Sequence, residues 1–294
     1  MGYHVSGFRL LADIIRRGDL APKASILELG SQQLGIADHD NPHAMLDFFA
    51  ALNLPLPTND ELLAWHDAHV SKIFKRAGFA YTSVDVNGQG GAQPFDLNFD
   101  QVPEGQRNSF DLVTNQGTIE HTFNVANGFS AVHDWTKPGC LMFHHMPFMQ
   151  YLDHGFLNFQ PNLYAALAKH NDYEILGMWT NLDRGRLHFV PWELRILNAI
   201  DLNRANLNLA VLMRKKSAAP FNIPVQGTYA EDLTESALMR YGYTIDGTTV
   251  MGKRGMVETQ RGEIEGLRSR LLSRLPMAML VNELKARIRR RLRL

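Results

Sequence analysis

Residues 25–35 read Ser-Ile-Leu-Glu-Leu-Gly-Ser-Gln-Gln-Leu-Gly, an apolar run that carries one acid, Glu28, and breaks at Gly30. A short apolar run ended by glycine reads as a buried strand, and the glycine lets the backbone turn sharply and approach a ligand. The same pattern recurs at residues 81–86, 110–114, 141–145, 173–178 and 207–213, with the first strand at 24–29. Between most of these runs lie helical patterns: 5–17 is amphipathic, 43–52 and 60–77 are long enough for helices, and 122–135 and 161–170 carry apolar residues at three- and four-residue spacing. Strands separated by helices must pair in parallel through crossovers. The expectation is an α/β fold, a Rossmann-like open sheet of about seven mostly parallel strands flanked by helices. Such sheets bind ligands beyond the carboxyl ends of their strands.

The chain has 294 residues, 45% hydrophobic and 20% charged. These proportions fit a globular domain and exclude a disordered, collagen-like or disulfide-rich chain. Cys140 is the single cysteine, so neither an intramolecular disulfide nor a multi-cysteine metal site can form. No apolar run approaches the roughly 20 residues that span a bilayer, and the first twenty residues have arginines inside their apolar stretch, so a cytoplasmic protein is expected. No solenoid repeat is present. The formal net charge is zero, yet residues 253–294 hold twelve basic and four acidic side chains, a net of +8 against −8 for residues 1–252. This divides the chain into a globular domain, 1–252, and a basic tail, 253–294.

The strand ends carry the chemistry. Ser83-Val84-Asp85-Val86-Asn87 places an acid after the second strand, where a carboxylate can accept both hydroxyls of a ribose. Pro94-Phe95-Asp96-Leu97-Asn98 sets a short acceptor beside a backbone amide. Phe110-Asp111-Leu112-Val113-Thr114-Asn115-Gln116-Gly117-Thr118-Ile119-Glu120-His121 ends a strand in amides and opens a helical turn with Glu-His, and Thr136-Lys137-Pro138-Gly139-Cys140-Leu141 precedes the fifth strand. In this order the four segments resemble those of class I S-adenosylmethionine (SAM) dependent methyltransferases. The first departs from the acid-x-Gly-x-Gly-x-Gly pattern, with Gln32 at the second glycine and Gly35 one place late. The resemblance covers about residues 20–215 and implies S-adenosyl-L-methionine as cofactor. It implies contacts from Glu28, Gly30, Ser31, Gln32, Asp85, Asp96, Leu97, Asn115, Gln116 and Glu120, with Asp85 on the ribose and Asp96-Leu97 on the adenine. A nicotinamide dehydrogenase shares the sheet and the acid after strand two, but Gln32 and Gln33 put side chains where a pyrophosphate needs bare backbone.

Fifty-seven residues separate Glu28 from Asp85, so residues 37–70 form an insertion, starting at Asp38-His39-Asp40-Asn41-Pro42-His43. In the methyltransferase family such insertions supply lids or substrate-binding helices. Methyl transfer needs alignment, and a base only when the nucleophile carries a proton. For a hydroxyl acceptor, histidine suits neutral pH, which makes His145, His154 and His121 the catalytic candidates. Alternation along the fifth strand points His144 and His145 to opposite faces. The loop that follows offers Tyr151 and Phe156 as ring faces for a sugar or planar substrate, and Asp153 and Asn158 as hydrogen-bonding groups. No spacing among the acids and histidines is diagnostic of a metal, and none is assigned. A small-molecule or glycan O-methyltransferase is the expectation. The alternative is a methyltransferase-like fold without catalysis that scaffolds an assembly at a membrane surface.

In the tail, residues 258–275 read as an amphipathic helix with Ile264, Leu267, Leu271 and Leu275 on one side, Pro276 interrupts, and 279–294 alternate apolar with basic residues. Aromatic residues for base stacking are missing, which argues against nucleic acid. Apolar residues beside arginines suit the surface of an anionic membrane, at its inner face for a cytoplasmic protein, with about 1 kcal/mol per basic residue; the alternatives are a helix on a partner subunit, docking on the chain's own acidic body, and a solvated extension. Full-length protein is therefore expected to sediment with anionic vesicles at low salt, to ignore neutral ones and to release as salt screens the charge. Equal partitioning of a chain ending near Arg254 would exclude the tail from that role.

Overall fold

The computed structural model describes residues 2, 3, 5–34, 43–65, 68–181, 189–191, 206–226 and 233–241. The tail and the start of the insertion, residues 35–42, lie outside the described residues, apart from its His43. Eight strands form one sheet: β1 (Ser25–Leu29), β2 (Ala80–Asp85), β3 (Gln93–Pro94), β4 (Phe110–Gln116), β5 (Thr136–Met149), β6 (Tyr173–Asn181), β7 (Phe189–Pro191) and β8 (Leu207–Lys215). Their order is β3-β2-β1-β4-β5-β8-β6-β7. Strands β1 to β5 pair in parallel, β8 runs antiparallel to β5 and β6, and β7 is antiparallel to β6. All six expected strands are present. The additions are β3 and β7, whose two or three residues are too short to leave a periodic signal.

From β1 the chain winds outward to β2 and β3 and returns to add β4 and β5 on the other side. That reversal leaves a crevice beyond the carboxyl ends of β1 and β4, the place where open α/β sheets take their ligands.

Helices α1 (Val5–Arg16), α2 (His43–Ala51), α3 (Asn59–Ala64), α4 (Ser71–Arg76), α5 (Val125–Trp135), α6 (Pro161–His170) and α7 (Glu235–Arg240) complete the described elements. Tyr3, Phe8, Phe48, Phe74 and Phe79 make one core layer with Ile26, Leu112, Leu141 and Leu212 of the sheet. Residues from α5 and α6, Phe129, Trp135 and Tyr164 among them, make the other with Leu27, Val113, Met142 and Val211. Among the described residues no helix is long and apolar enough to cross a membrane.

The described part of the insertion, from His43 on, packs into the core. Phe48 of α2 sits 5.3 Å from Phe8 and 6.0 Å from Phe79, ring to ring, and Phe49 stacks on Trp65 at 5.8 Å. Adjacent buried phenylalanines make α2 part of the core. The helical pattern at 60–77 splits in two. Thr58 and Glu61 form a capping box that starts α3, and residues 68–70 then leave the helix to pair with the loop after β1. Nor is Thr136-Lys137-Pro138-Gly139 only a turn. It belongs to β5 as a bulge, with Thr136 opposite Phe110, Leu141 opposite Leu112, and Gly139 at φ 81°.

Candidate active site

Gly30 fixes the geometry of the crevice. Its φ is 78°, and a β-carbon there would lie 2.7 Å from Gln32 Nε2 and 2.8 Å from Thr118 Oγ1. The Gly30 amide donates to Val84 O at 2.8 Å, and the Thr118 hydroxyl donates to Leu29 O at 2.7 Å. Asp85 closes the corner: Oδ2 accepts the Ser31 amide at 2.9 Å and Oδ1 the Asn87 amide at 3.3 Å. The ends of β1, β2 and β4 are thus tied around one turn.

The departure from the glycine-rich pattern has a structural reason. After Ser31 the chain runs extended between two partners. Tyr3 N donates to Gln33 O at 2.7 Å, Leu34 N to Ala68 O at 3.1 Å and Val70 N to Gln32 O at 3.1 Å. Buried Gln32 then spends its side-chain amide on Thr118 Oγ1 (3.2 Å) and Leu29 O (3.4 Å). A segment held this way needs side chains more than glycine's freedom. Beside it stands His69, Nδ1 3.1 Å from Ser31 Oγ, with Gly90 above; any side chain at Gly90 would collide with both. Sequence reasoning missed His69 and Gly90. The run Gly88-Gln89-Gly90-Gly91, with all three glycines at positive φ, was the available signal.

Glu28 is fully buried beneath the turn and accepts a short hydrogen bond from the Tyr81 hydroxyl. Burial pushes its carboxyl up to about 8, with the Tyr81 bond pulling the other way. In the turn after β3, Asp96 Oδ1 accepts the Asn98 amide at 2.8 Å, the Asp96 amide donates to Asp100 Oδ2 at 2.7 Å, and Leu97 O accepts from Asn127 Nδ2 at 2.9 Å. This turn is already formed. Asn115 is buried and engaged, Oδ1 with the Ile119 amide at 3.3 Å and Nδ2 with His144 Nδ1 at 3.2 Å. Gln116 is buried as well, close to Tyr3 across Gly7.

The three candidate histidines separate. His145 is buried in the sheet with its ring parallel to Phe143 at 6.4 Å, and His144 turns to the opposite face, against Phe129 and Tyr164. His121 and His154, far apart in sequence, come together over Glu120, their ring centres 4.9 Å apart. Glu120 Oε1 is 3.7 Å from His121 Nε2 and 3.8 Å from His154 Nε2. Burial raises Glu120 to about 7 and lowers both histidines, His121 additionally through its charged-state repulsion with His154. Local backbone makes the approach possible. Asp153 takes φ 58°, the Phe156 amide donates to Glu120 O at 2.8 Å, and a β-carbon on Gly155 would fall 2.9 Å from Glu120 Cγ. Tyr151 flanks His154 at 5.4 Å, ring to ring. Asp153 and Asn158 are exposed on this loop, and Phe156 meets Phe123 edge-on at 6.4 Å on the rim.

No family model matches the chain, and no curated protein matches it. Among solved structures it is similar to a 1,6-didemethyltoxoflavin N1-methyltransferase of Burkholderia thailandensis with S-adenosylhomocysteine bound. That likeness has 12% identity over 72% of this chain and 79% of that one, TM-score 0.40. A provisionally named sarcosine dimethylglycine methyltransferase of Galdieria sulphuraria shares 15% over 72% and 86%, TM-score 0.43. An S-adenosylmethionine dependent methyltransferase of Mesorhizobium loti shares 14% over 68% and 95%, TM-score 0.32. Likenesses this distant leave the functional reading to the chain's own residues.

The buried Glu28 gives a pH signature. Its folded-state value of about 8 lies above the ordinary 4.5, so the folded protein holds a proton that the unfolded chain releases. This contribution is complete below about pH 4.5 and is lost as pH rises toward 8. In denaturant titrations across that window, wild-type stability is expected to fall relative to Glu28→Gln. A constant difference between the two would contradict this reading of Glu28.

Proposed function

We propose that the chain is a SAM-dependent methyltransferase acting on a small-molecule hydroxyl. The observation that carries the reading is the Asp85 carboxylate, half-exposed beside the Gly30 turn at the reversal of strand order. A carboxylate there accepts the paired hydroxyls of a ribose, and the preformed turn at Asp96 and Leu97 supplies an acceptor and an amide to an adenine edge. The sequence around the turn supports a cationic cofactor over a pyrophosphate. The Ser31 amide is spent on Asp85 and the Leu34 amide on Ala68, while Gln32 fills the space above the turn. A pyrophosphate would need such amides free. A sulfonium needs none.

When bound, SAM supplies an electrophilic methyl group. The protein's part is to align it with the acceptor and to accept the acceptor's proton. Were SAM held there, the acceptor hydroxyl would displace the methyl group from the sulfonium, leaving S-adenosylhomocysteine, and its proton would pass to a base of the protein or to solvent. Glu120, His121 and His154 mark the place where it leaves, and in the metal-free protein either histidine can serve as the direct base. His145, locked in the sheet, is a weaker candidate. Exposed Phe99, Phe123, Leu152 and Phe156 surround this end, and Tyr151 adds a ring face. Such a rim suits a natural-product-like acceptor with a planar or apolar body better than a bare glycan.

Isothermal titration with SAM tests the reading. Asp85→Ala is expected to weaken binding by about 1.5–3 kcal/mol, the cost of a charged hydrogen-bond acceptor, in a folded protein. Unchanged affinity would remove Asp85 from the cofactor site. Absence of SAM binding by the wild type would favour the non-catalytic scaffold.

A further inference from the structure

Glu120 is the least explained side chain in the crevice. It is fully buried, and among the described residues neither of its carboxylate oxygens has a hydrogen-bond partner. A carboxylate left bare in a protein interior is costly, so its surroundings must offer a positive charge or a donor. Among the described residues they offer a pair of imidazoles. His121 Nε2 and His154 Nε2 lie 3.7 Å and 3.8 Å from Glu120 Oε1, and His154 Nε2 is itself buried without a hydrogen bond. The three ligand atoms fall within 4.8 Å of one another, and no other such group of three exists among the described residues.

We propose that Glu120, His121 and His154 hold one divalent first-row transition-metal ion, bound through Glu120 Oε1 and the Nε2 atoms of both histidines. The separations from Oε1 are those of ligands that each stand about 2.0–2.2 Å from a shared ion. Two imidazoles and one carboxylate suit zinc, iron(II), cobalt or manganese, whereas calcium and magnesium prefer oxygen throughout. Three protein ligands leave positions open to water or to an acceptor oxygen. The site is also built on fixed backbone. Glu120 O holds the Phe156 amide, and at Gly155 there is no room for a side chain, so the loop carrying His154 has one seat over Glu120.

An ion here lowers the pKa of a bound hydroxyl, so that the alkoxide forms near neutral pH and its proton passes to solvent. The oxygen then takes the methyl carbon, and the sulfonium sulfur retains the electron pair of the broken bond. With the ion in place the histidines are ligands and not bases. This role in methyl transfer rests on the proposed function; the binding of the ion does not.

The test is titration of full-length protein, stripped with a chelator, with cobalt(II) as the probe, followed by its visible d–d absorption. One equivalent is expected to bind with a spectrum of low coordination number. His121→Ala, His154→Ala and Glu120→Gln should each weaken binding about tenfold or more, and His43→Ala should leave it unchanged. His121 is half-exposed, so its replacement keeps the test valid if Glu120→Gln fails to fold. Absence of saturable binding in the wild type would overturn the proposal, as would unchanged affinity in both histidine variants. SAM titration of the same samples keeps the two readings apart. SAM binding without cobalt binding removes only the ion, and cobalt binding without SAM binding removes only the cofactor.

Discussion

The turn at Gly30 is the constraint on which the rest depends. Two polar side chains, Gln32 and Thr118, occupy the space where a β-carbon would go, and both are bonded to the strand end that the turn terminates. Through Val84 O and the Asp85 carboxylate the same turn fixes the end of β2. Ser31 is therefore delivered to one place, with Asp85 beside it and the Asp96 turn one strand further out. The methyl transfer proposed for this chain would consist largely of alignment, and a corner with one available geometry is what alignment requires.

Much of this fold was legible because strands buried on both faces leave continuous apolar runs, and six of the eight described strands announce themselves in that way, antiparallel β6 and β8 included. The position of Asp85 at the end of β2 was legible for the same reason, while its two amide partners, Ser31 and Asn87, were not. Other features depended on partners that periodicity does not reveal. The pattern at 60–77 favours one helix, yet the backbone at 68–70 gains more by pairing with residues 32–34 than by continuing the helix. The insertion was legible only as extra length between β1 and β2, and the burial of Phe48 and Phe49 in the layer between α1 and the sheet depends on partners far away in sequence.

The cluster at Glu120 shows the same division. His121 and His154 could each be named from their places after strand ends, but their meeting over Glu120 could not. That meeting depends on Asp153 at positive φ and on the missing side chain of Gly155, neither of which marks itself in the sequence. The burial of Glu120 turns the three groups from neighbours into a site, because a carboxylate in water would need neither histidine.

A crystal structure of the full chain with S-adenosylhomocysteine tests the central claim most directly. The account predicts the ribose hydroxyls on the Asp85 carboxylate, the adenine edge at Asp96 and Leu97, and the sulfur directed toward the Glu120, His121 and His154 cluster. A ligand held elsewhere on the chain, or an empty crevice at saturating concentration, would contradict it.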